Sequence, residues 1–183
     1  MKFTQTSLEG AFLITPTPIE DHRGFFFRSF CVNEFAEQGL LVDIKQVNRS
    51  GTNGEGSLRG MHFQYPPYAE TKIVECIKGI IFDVIIDIRK DSPTFLQWYG
   101  VELSESNKQK LYIPKGFAHG FQSISEYAEI NYLVSQFYHK DSEGIIHYND
   151  PLLDIQWPLA ISTISEKDNA ATFLEENFNG LLI

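Results

Sequence analysis

The sequence predicts an all-β protein, a sandwich or barrel of short strands. Short runs rich in β-branched and aromatic residues recur along the chain, and clusters of Gly, Pro, Asn, Ser or Asp separate many of them. Aromatic residues make up 14% of the chain, with 15 Phe and 8 Tyr, which suits a β-structure with a wide interior. At 183 residues the chain is expected to form a single domain over 1–183.

The strands are predicted from runs that extend to residue 139, and two short helices are predicted beside them. One helix covers 32–39 and ends on Gly39 as its C-terminal cap, and the other covers 165–177 with Ser165 as its N-cap. The predicted strands lie within GAFLITPTPI (10–19), GFFFRSF (24–30), VDIKQVNRS (42–50), SLRGMHFQ (57–64), ETKIVECIKG (70–79), IIFDVIIDIRK (80–90), FLQWYGVEL (95–103), QKLYIPKG (109–116), AHGFQSIS (118–125) and EINYLVSQFYH (129–139).

Composition argues against several classes of function. The formal net charge of −9 leaves no dominant basic patch, so no nucleic-acid partner is expected. The two cysteines, Cys31 and Cys76, lie in no metal-binding or disulfide pattern, and both are predicted to be reduced thiols of the core. No long apolar segment follows Lys2 and no run is long enough to span a membrane, so we expect a cytoplasmic protein without a membrane partner.

The run 57–64 carries Arg59 and His62. Strict alternation in a strand places these two side chains on opposite faces. Gly60 lies between them, and a glycine inside a strand often marks a bulge, which permits the two side chains to converge. A buried histidine with an ordinary hydrogen bond is the alternative interpretation.

In two further predicted strands, polar or tyrosine side chains share one face of the strand. In 80–90, Asp83, Asp87 and Arg89 share one face, where the carboxylates serve either acid–base chemistry or a solvated or salt-bridged surface, with a pair between Asp87 and Arg89 preferred. In 129–139, Tyr132 and Tyr138 share a face and lie roughly 20 Å apart in an extended strand.

The stretch from Pro114 through Gly116 to His119 resembles the second motif of the cupin superfamily, whose members are small double-stranded β-helix barrels. In metal-binding cupins, the first motif has two histidines and a glutamate. Here Gln64 replaces the second histidine and Lys72 lies close to the glutamate position. A cation at that position opposes metal binding, so no metal site is expected.

Seven motifs in order resemble those of the dTDP-4-dehydrorhamnose 3,5-epimerases, which are metal-independent cupins. The resemblance covers most of the chain. It implies a cupin-type jelly roll with a few short helices, one near the C-terminus, and a homodimer in which the N-terminal segment of one subunit completes the other's site. The motifs are DHRGFFF (21–27), LRGMHFQ (58–64), FDVIIDIRKDSPTF (82–95), IPKGFAHGF (113–121), SEYAEINY (125–132), DSEGIIHYND (141–150) and SEKDNAA (165–171).

The resemblance also implies a reaction without a cofactor. The substrate is a nucleotide-linked 4-keto-6-deoxyhexose, whose keto group acidifies the hydrogens on C3 and C5. A base removes one hydrogen to give an enolate, and a proton returned to the opposite face inverts the carbon. Inversion of one carbon or of both is compatible with the same residues.

The resemblance implies four catalytic residues. His62 matches the base, and Asp168 matches the carboxylate that orients it, although residues 165–168 also fit a helix capping box. Tyr132 matches the proton donor, with an ordinary interior tyrosine as the alternative. Lys72 matches the cation near the enolate oxygen, with an exposed lysine paired to Asp83 as the alternative.

The remaining matches are substrate-binding positions. Arg23 and Arg59 match contacts to phosphate and sugar, and Tyr138 matches the aromatic residue that stacks on the base. Several of these positions also have a structural alternative. Arg23 fits a surface arginine in a turn, and His119 fits a buried, hydrogen-bonded histidine. Structural strand amides are the alternative for Gln46 and Asn48, and solvated surface charges are the alternative for Glu143 and Lys167. The further binding positions are Phe26, Arg28, Gln46, Asn48, His119, Glu143 and Lys167.

Arg28 departs from the family pattern, which has a glutamate for nucleotide recognition there. Arginine has only donors and cannot accept the thymine N3–H, whereas cytosine presents acceptors. This difference suggests a CDP-linked substrate, or a different way of holding the nucleotide. Two other functions on the same scaffold remain open: a nucleotide-sugar ketoisomerase, and a non-catalytic protein that binds a nucleotide sugar.

Overall fold

The computed structural model describes residues 1–40 and 42–183. Its elements are mostly strands, so the all-β prediction is confirmed. The helices are α1 (Val32–Ala36) and α2 (Glu166–Asn169), with a 3-10 turn at Lys140–Ser142. The strands are β1 (Lys2–Gln5), β2 (Phe12–Thr15), β3 (Ile19–Asp21), β4 (Gly24–Phe26), β5 (Gln46–Asn53), β6 (Ser57–Gln64), β7 (Lys72–Lys78), β8 (Ile80–Asp87), β9 (Trp98–Ser104), β10 (Lys110–Ile113), β11 (Phe117–Ser123), β12 (Tyr127–Val134), β13 (Glu143–Ile145) and β14 (Thr163–Ile164).

Two main sheets form the body of the fold. Sheet I has the order β1-β2-β10-β7-β12-β5, and sheet II has the order β13-β6-β11-β8-β9 with β14 added in parallel beside β6. The strands within sheet I and along the path of sheet II pair antiparallel. Strands β3 and β4 form a separate hairpin. None of the helices in residues 1–40 and 42–183 has the length and apolar character of a membrane span.

Apolar residues pack in three layers. The inner layer lies between the sheets, where Val74 and Ile130 of sheet I meet Ile85 and Phe121 of sheet II. The outer face of sheet II is covered by the C-terminal part of the chain through residues such as Leu153. Part of the outer face of sheet I is covered by the segment around α1, with Phe35 fully buried.

Strand β8 follows the predicted alternation. Val84 and Ile86 pack on the outer layer of sheet II, whereas Ile85 points into the inner layer. Asp87 is fully buried and pairs with Arg89 at 2.7 Å, so the salt-bridged interpretation is correct and the solvated one is wrong.

Several predicted elements differ from the structure. The strand predicted in 10–19 divides into β2 and β3 around Pro16 and Pro18, which have no N–H for a ladder. The predicted helix 165–177 ends at Asn169 in α2. Beyond it, Leu174 donates its N–H to Asp150 at 2.6 Å and packs on the outer layer of sheet II, so tertiary contacts replace the helix.

Candidate active site

The polar end of the space between the two sheets is a cavity of about 900 Å³. Its walls come from β5, β7 and β12 of sheet I and from β6, β11 and β13 of sheet II, with α2 at one edge. Residues predicted from distant motifs meet here. Those that line the cavity are Gln46, Asn48, Arg59, His62, Lys72, His119, Tyr132, Tyr138, Glu143, Lys167 and Asp168.

An irregularity in β6 brings Arg59 and His62 to the same cavity. The register between β6 and β11 shifts beside Gly60, whose φ is +125°. A Cβ on Gly60 would lie 2.4 Å from Cα of Gly120, so the two backbones approach more closely than a side chain allows. The shift therefore permits two residues that alternation would separate to face one space.

His62 and Asp168 form a direct pair. The His62 Nε2 and Asp168 Oδ1 atoms are 2.7 Å apart, and the other carboxylate oxygen accepts the Gly60 N–H at 3.3 Å. Ser165 caps α2 by accepting the Asp168 N–H at 3.0 Å. The cap and the carboxylate–histidine pair therefore coexist, because the cap uses the backbone of Asp168 and the pair uses its side chain.

The surroundings keep Asp168 ionised. Burial alone would raise the pKa of Asp168, but hydrogen bonds and the nearby His62 outweigh it and hold that pKa below the ordinary value of 3.8. A carboxylate that stays charged can fix the orientation of His62 and stabilise its protonated form. His62 is partly accessible, with 35% of its side chain exposed.

Tyr132 and Lys72 stand on the opposite wall. They lie on adjacent strands of sheet I, β12 and β7, whereas His62 belongs to sheet II. The ammonium group of Lys72 is 3.0 Å from Glu70 and 3.3 Å from the backbone carbonyl of His62. The cavity thus has a histidine on one side and a phenol on the other, and the ammonium group of Lys72 reaches from the phenol's sheet to the backbone of His62.

His119 also has a carboxylate partner. Its Nε2 lies 2.8 Å from Oδ1 of Asp83, which is fully buried. The pairing of Lys72 with Asp83 considered from the sequence is therefore wrong: Lys72 contacts Glu70, and Asp83 contacts His119. The exposed-lysine alternative is wrong as well, because only 12% of the Lys72 side chain is exposed.

The mouth of the cavity holds a chain of polar contacts. Tyr138 donates its hydroxyl to Glu143 at 3.0 Å, and Lys167 contacts the same carboxylate at 2.5 Å. Burial alone would raise the pKa of Glu143. Hydrogen bonds from Lys167 and Tyr138, together with the positive charges of Lys167 and His62, lower it by more, so the net pKa is below 4.5. The backbone N–H of Tyr138 is also 3.3 Å from the side-chain oxygen of Gln46. Tyr138 itself remains 62% exposed and accessible for stacking.

Comparison with known proteins assigns this arrangement to a family. A family model described as dTDP-4-dehydrorhamnose 3,5-epimerase matches residues 5–176. The chain belongs to this family. The enzyme of that name from Salmonella typhimurium is 44% identical over 174 residues, which cover 94% of each chain.

Solved structures agree with the family assignment. The crystal structure of a dTDP-4-dehydrorhamnose 3,5-epimerase from Elizabethkingia anophelis matches with a TM-score of 0.93 and 40% identity, covering 97% of this chain and 98% of that one. A 3'-monoepimerase from Streptomyces bikiniensis, in complex with dTDP-quinovose, matches with a TM-score of 0.85 and 32% identity over 92% and 85% of the chains. The predicted cupin-type jelly roll is confirmed.

Three predicted binding residues of this family member lie away from the cavity of their own chain. Arg23 turns back to Asp21 in the β3–β4 hairpin at 2.6 Å, and Phe26 on the same hairpin is 70% exposed. Arg28 lies 3.0 Å from Glu34 of α1. Their roles in binding therefore remain predictions.

Sequence reasoning assigned no role to Glu70, and it considered Asp83 for acid–base chemistry or as a partner of Lys72 rather than of His119, although both carboxylates contact residues of the cavity wall. Glu70 lies two residues before Lys72, and this spacing was the available signal. Asp83 on β8 lies opposite Phe121 of β11, and its side chain reaches diagonally to His119, two residues along the same strand.

Proposed function

We propose that the protein inverts C3, C5 or both carbons of a nucleotide-linked 4-keto-6-deoxyhexose. The observation that carries this proposal is the His62–Asp168 pair on sheet II facing a cavity whose opposite wall holds Tyr132. Inversion needs a base on one face of the sugar and an acid on the other. Two opposed sheets supply those two directions.

The hydrogen-bond pattern indicates which atom is the base. When neutral His62 carries its proton on Nε2, it donates to Asp168 and leaves Nδ1 as an acceptor. Nδ1 takes the hydrogen from the carbon next to the keto group, and Asp168 stabilises the resulting imidazolium. General base catalysis of this kind contributes about 10²–10⁴-fold to the rate.

The other wall completes the inversion. Lys72 places a positive charge where the keto oxygen becomes an enolate oxygen. Tyr132 returns a proton to the face opposite His62, which inverts the carbon. His119 and Arg59 hold the sugar and the diphosphate, and Tyr138 stacks on the base at the mouth. Gln46, Asn48, Glu143 and Lys167 supply further polar contacts to the nucleotide.

Proton NMR in deuterium oxide tests this function directly. The wild-type protein with dTDP-4-keto-6-deoxyglucose is expected to exchange the C3 or C5 hydrogens and to invert the carbons that exchange. The His62→Asn protein is expected to lose exchange. The Tyr132→Phe protein is expected to retain exchange but to lose inversion, because the base still acts while the opposite acid is missing.

Three other outcomes have distinct meanings in this test. A product whose carbonyl has moved to a neighbouring carbon would assign a ketoisomerase. Binding of the nucleotide sugar without exchange by the wild-type protein would assign a protein that only binds. Inversion at one carbon would place the protein beside the monoepimerase rather than the double epimerases. Each outcome is read from the same spectra.

We also propose that the active unit is a homodimer that exchanges its N-terminal hairpin. The β3–β4 hairpin is entirely exposed in one chain and presents Ile19, Phe25 and Phe26 to solvent. A group of exposed apolar side chains on one short hairpin is a feature of interaction surfaces, whereas isolated ones are ordinary. Insertion of the hairpin into a second copy would bring Arg23 and Phe26 to that copy's cavity and bury these side chains.

Mixing two inactive variants tests the exchange. The His62→Asn chain retains Arg23, and the Arg23→Ala chain retains His62. If each site uses His62 of one subunit and Arg23 of the other, refolded mixtures regain about a quarter of the wild-type activity, because half of the dimers are mixed and each has one intact site. Sites built within one chain would give no recovery.

A further inference from the structure

Glu70 contacts Lys72, the residue that supplies the positive charge in the proposed reaction. Its side chain is only 9% exposed, and one carboxylate oxygen lies 3.0 Å from the ammonium group of Lys72. Lys72 also donates to the backbone carbonyl of His62 at 3.3 Å. An ammonium group has three donors, so these contacts leave one for the cavity that Lys72 lines.

Glu70 is itself fixed by Gln64. The Gln64 side-chain nitrogen donates to the second carboxylate oxygen of Glu70 at 2.7 Å. The same amide group reaches the carbonyls of Tyr68 and Phe137 at 2.9 and 3.2 Å, and its oxygen accepts the His139 N–H at 2.6 Å. Gln64 is buried, so its contacts define one orientation for the Glu70 carboxylate.

The lysine needs this support because its stem is long. A lysine side chain has four flexible carbons and behaves as a mobile point charge unless neighbours restrict it. Two other carboxylates line the cavity, Glu143 and Asp168. Without Glu70, the ammonium group of Lys72 would be free to turn towards them and away from the position of an enolate oxygen.

We propose that Glu70 is a positioning residue, which holds the ammonium group of Lys72 against the cavity wall while Gln64 holds Glu70. This inference rests on the proposed epimerase function, because a cation held in one position matters for the rate only if an enolate oxygen develops beside it. Glu70 borders the cavity, but both of its carboxylate oxygens are engaged by Lys72 and Gln64, so we assign it no contact with the substrate. It acts through Lys72 alone.

A double-mutant cycle tests the inference. The Glu70→Gln protein is expected to lose about 10–100-fold in kcat, by analogy with the loss of a group that orients a metal-binding side chain. Its KM for the sugar nucleotide and its affinity for dTDP are expected to stay within about threefold of the wild-type values, since binding of the nucleotide uses other residues. In the Lys72→Met background, Glu70→Gln is expected to change kcat by less than about twofold.

Melting temperatures, measured together with kcat, distinguish a positioning role of Glu70 from a purely structural one. Lys72→Met leaves Glu70 as a buried charge without its partner, so adding Glu70→Gln should raise the melting temperature while kcat stays low. Glu126→Gln makes the same chemical change at an exposed position in the connection between β11 and β12 and serves as the matched control. If Glu70→Gln fails to fold, Glu70→Asp keeps the charge, draws it back from Lys72 and should lower kcat without raising KM.

The outcomes distinguish this inference from the function on which it rests. A wild-type protein without exchange on any 4-keto sugar nucleotide would overturn both. An active wild-type protein whose Glu70→Gln variant keeps kcat within about threefold would overturn the positioning role alone. Equal losses from Glu70→Gln in the presence and absence of Lys72 would also overturn it, since Glu70 would then act independently of the lysine.

Discussion

Asp168 lies 2.7 Å from His62 although the two residues are 106 positions apart along the chain. The histidine comes from β6 and the carboxylate from the short helix α2, which is anchored by the Ser165 cap. Because the cap hydrogen bond is made by the backbone N–H of Asp168, the carboxylate can be changed while this bond is kept.

Asp168→Asn should therefore reduce catalysis with little effect on the fold. The amide keeps nearly the same shape but cannot stabilise a protonated His62, so kcat should fall about 10²–10⁴-fold, the range for general base catalysis. Steady-state kinetics and dTDP affinity measure the effect. Ser165→Ala is the comparison: loss of the cap costs about 1 kcal/mol in unfolding free energy but keeps the charge. A larger loss of kcat in Ser165→Ala than in Asp168→Asn would contradict this assignment.

The cavity residues were more predictable from the sequence than their contacts. Motifs identified His62, Lys72 and His119 at the wall because each lies within a recognisable local pattern. Their partners Glu70 and Asp83 depend on strand register and on side-chain packing, which local patterns do not contain.

The same limit explains the shortened helix. Local propensity favoured continuation of α2 beyond Asn169, but Leu174 gains apolar contacts on sheet II and a hydrogen bond from its N–H to Asp150. Tertiary packing outweighs the weak preference of a single turn. For Gly60, by contrast, the residue type itself indicated the bulge.

Gly60→Ala should disturb both stability and the site. The residue has a φ of +125°, and its new Cβ would meet the backbone of Gly120 at 2.4 Å. The positive φ alone costs about 1–3 kcal/mol in unfolding free energy, and relief of the clash would separate Arg59 from His62. Urea unfolding and kcat are the measurements.

Gly39→Ala is the matched control for this substitution. Gly39 has a φ of +74° with no atom within 4 Å of the added Cβ, so it carries the conformational cost without a clash. Its kcat should remain at the wild-type value. Equal losses of stability and activity in both variants would show that the approach of Gly60 to Gly120 has no role in shaping the site.

Asp87→Asn should change the acid sensitivity of the fold. Burial alone would raise the pKa of Asp87, but hydrogen bonds from Arg89, Ser92 and Thr94 bring it below 3.8. Since the folded pKa is the lower one, this carboxylate contributes stability above pH 3.8 that is lost as the pH falls towards the folded value. The Asn variant should be less stable at pH 7 by about 3 kcal/mol.

The difference in unfolding free energy between the wild-type and Asp87→Asn proteins should shrink as the pH falls below 3.8. Urea denaturation at several pH values between neutral and acid measures it, with Asp141→Asn as an exposed control. A difference that stays constant over that range would mean that the Asp87 carboxylate titrates alike in the folded and unfolded chains.

Arg28 is the residue at which the sequence suggests a change of nucleotide. In the structure, its guanidinium group donates one hydrogen bond to Glu34 at 3.0 Å and does not line the cavity of its own chain. We therefore expect Arg28→Gln to alter the ratio of dTDP to CDP affinity by less than about fivefold, since an exposed ion pair of this kind contributes at most about 1 kcal/mol. Calorimetric titration of both nucleotides measures the ratio, with Glu37→Gln as a control on the same helical segment. A wild-type preference for CDP that disappears in Arg28→Gln would instead establish Arg28 as the residue that selects the base, and would make the natural substrate a CDP-linked sugar.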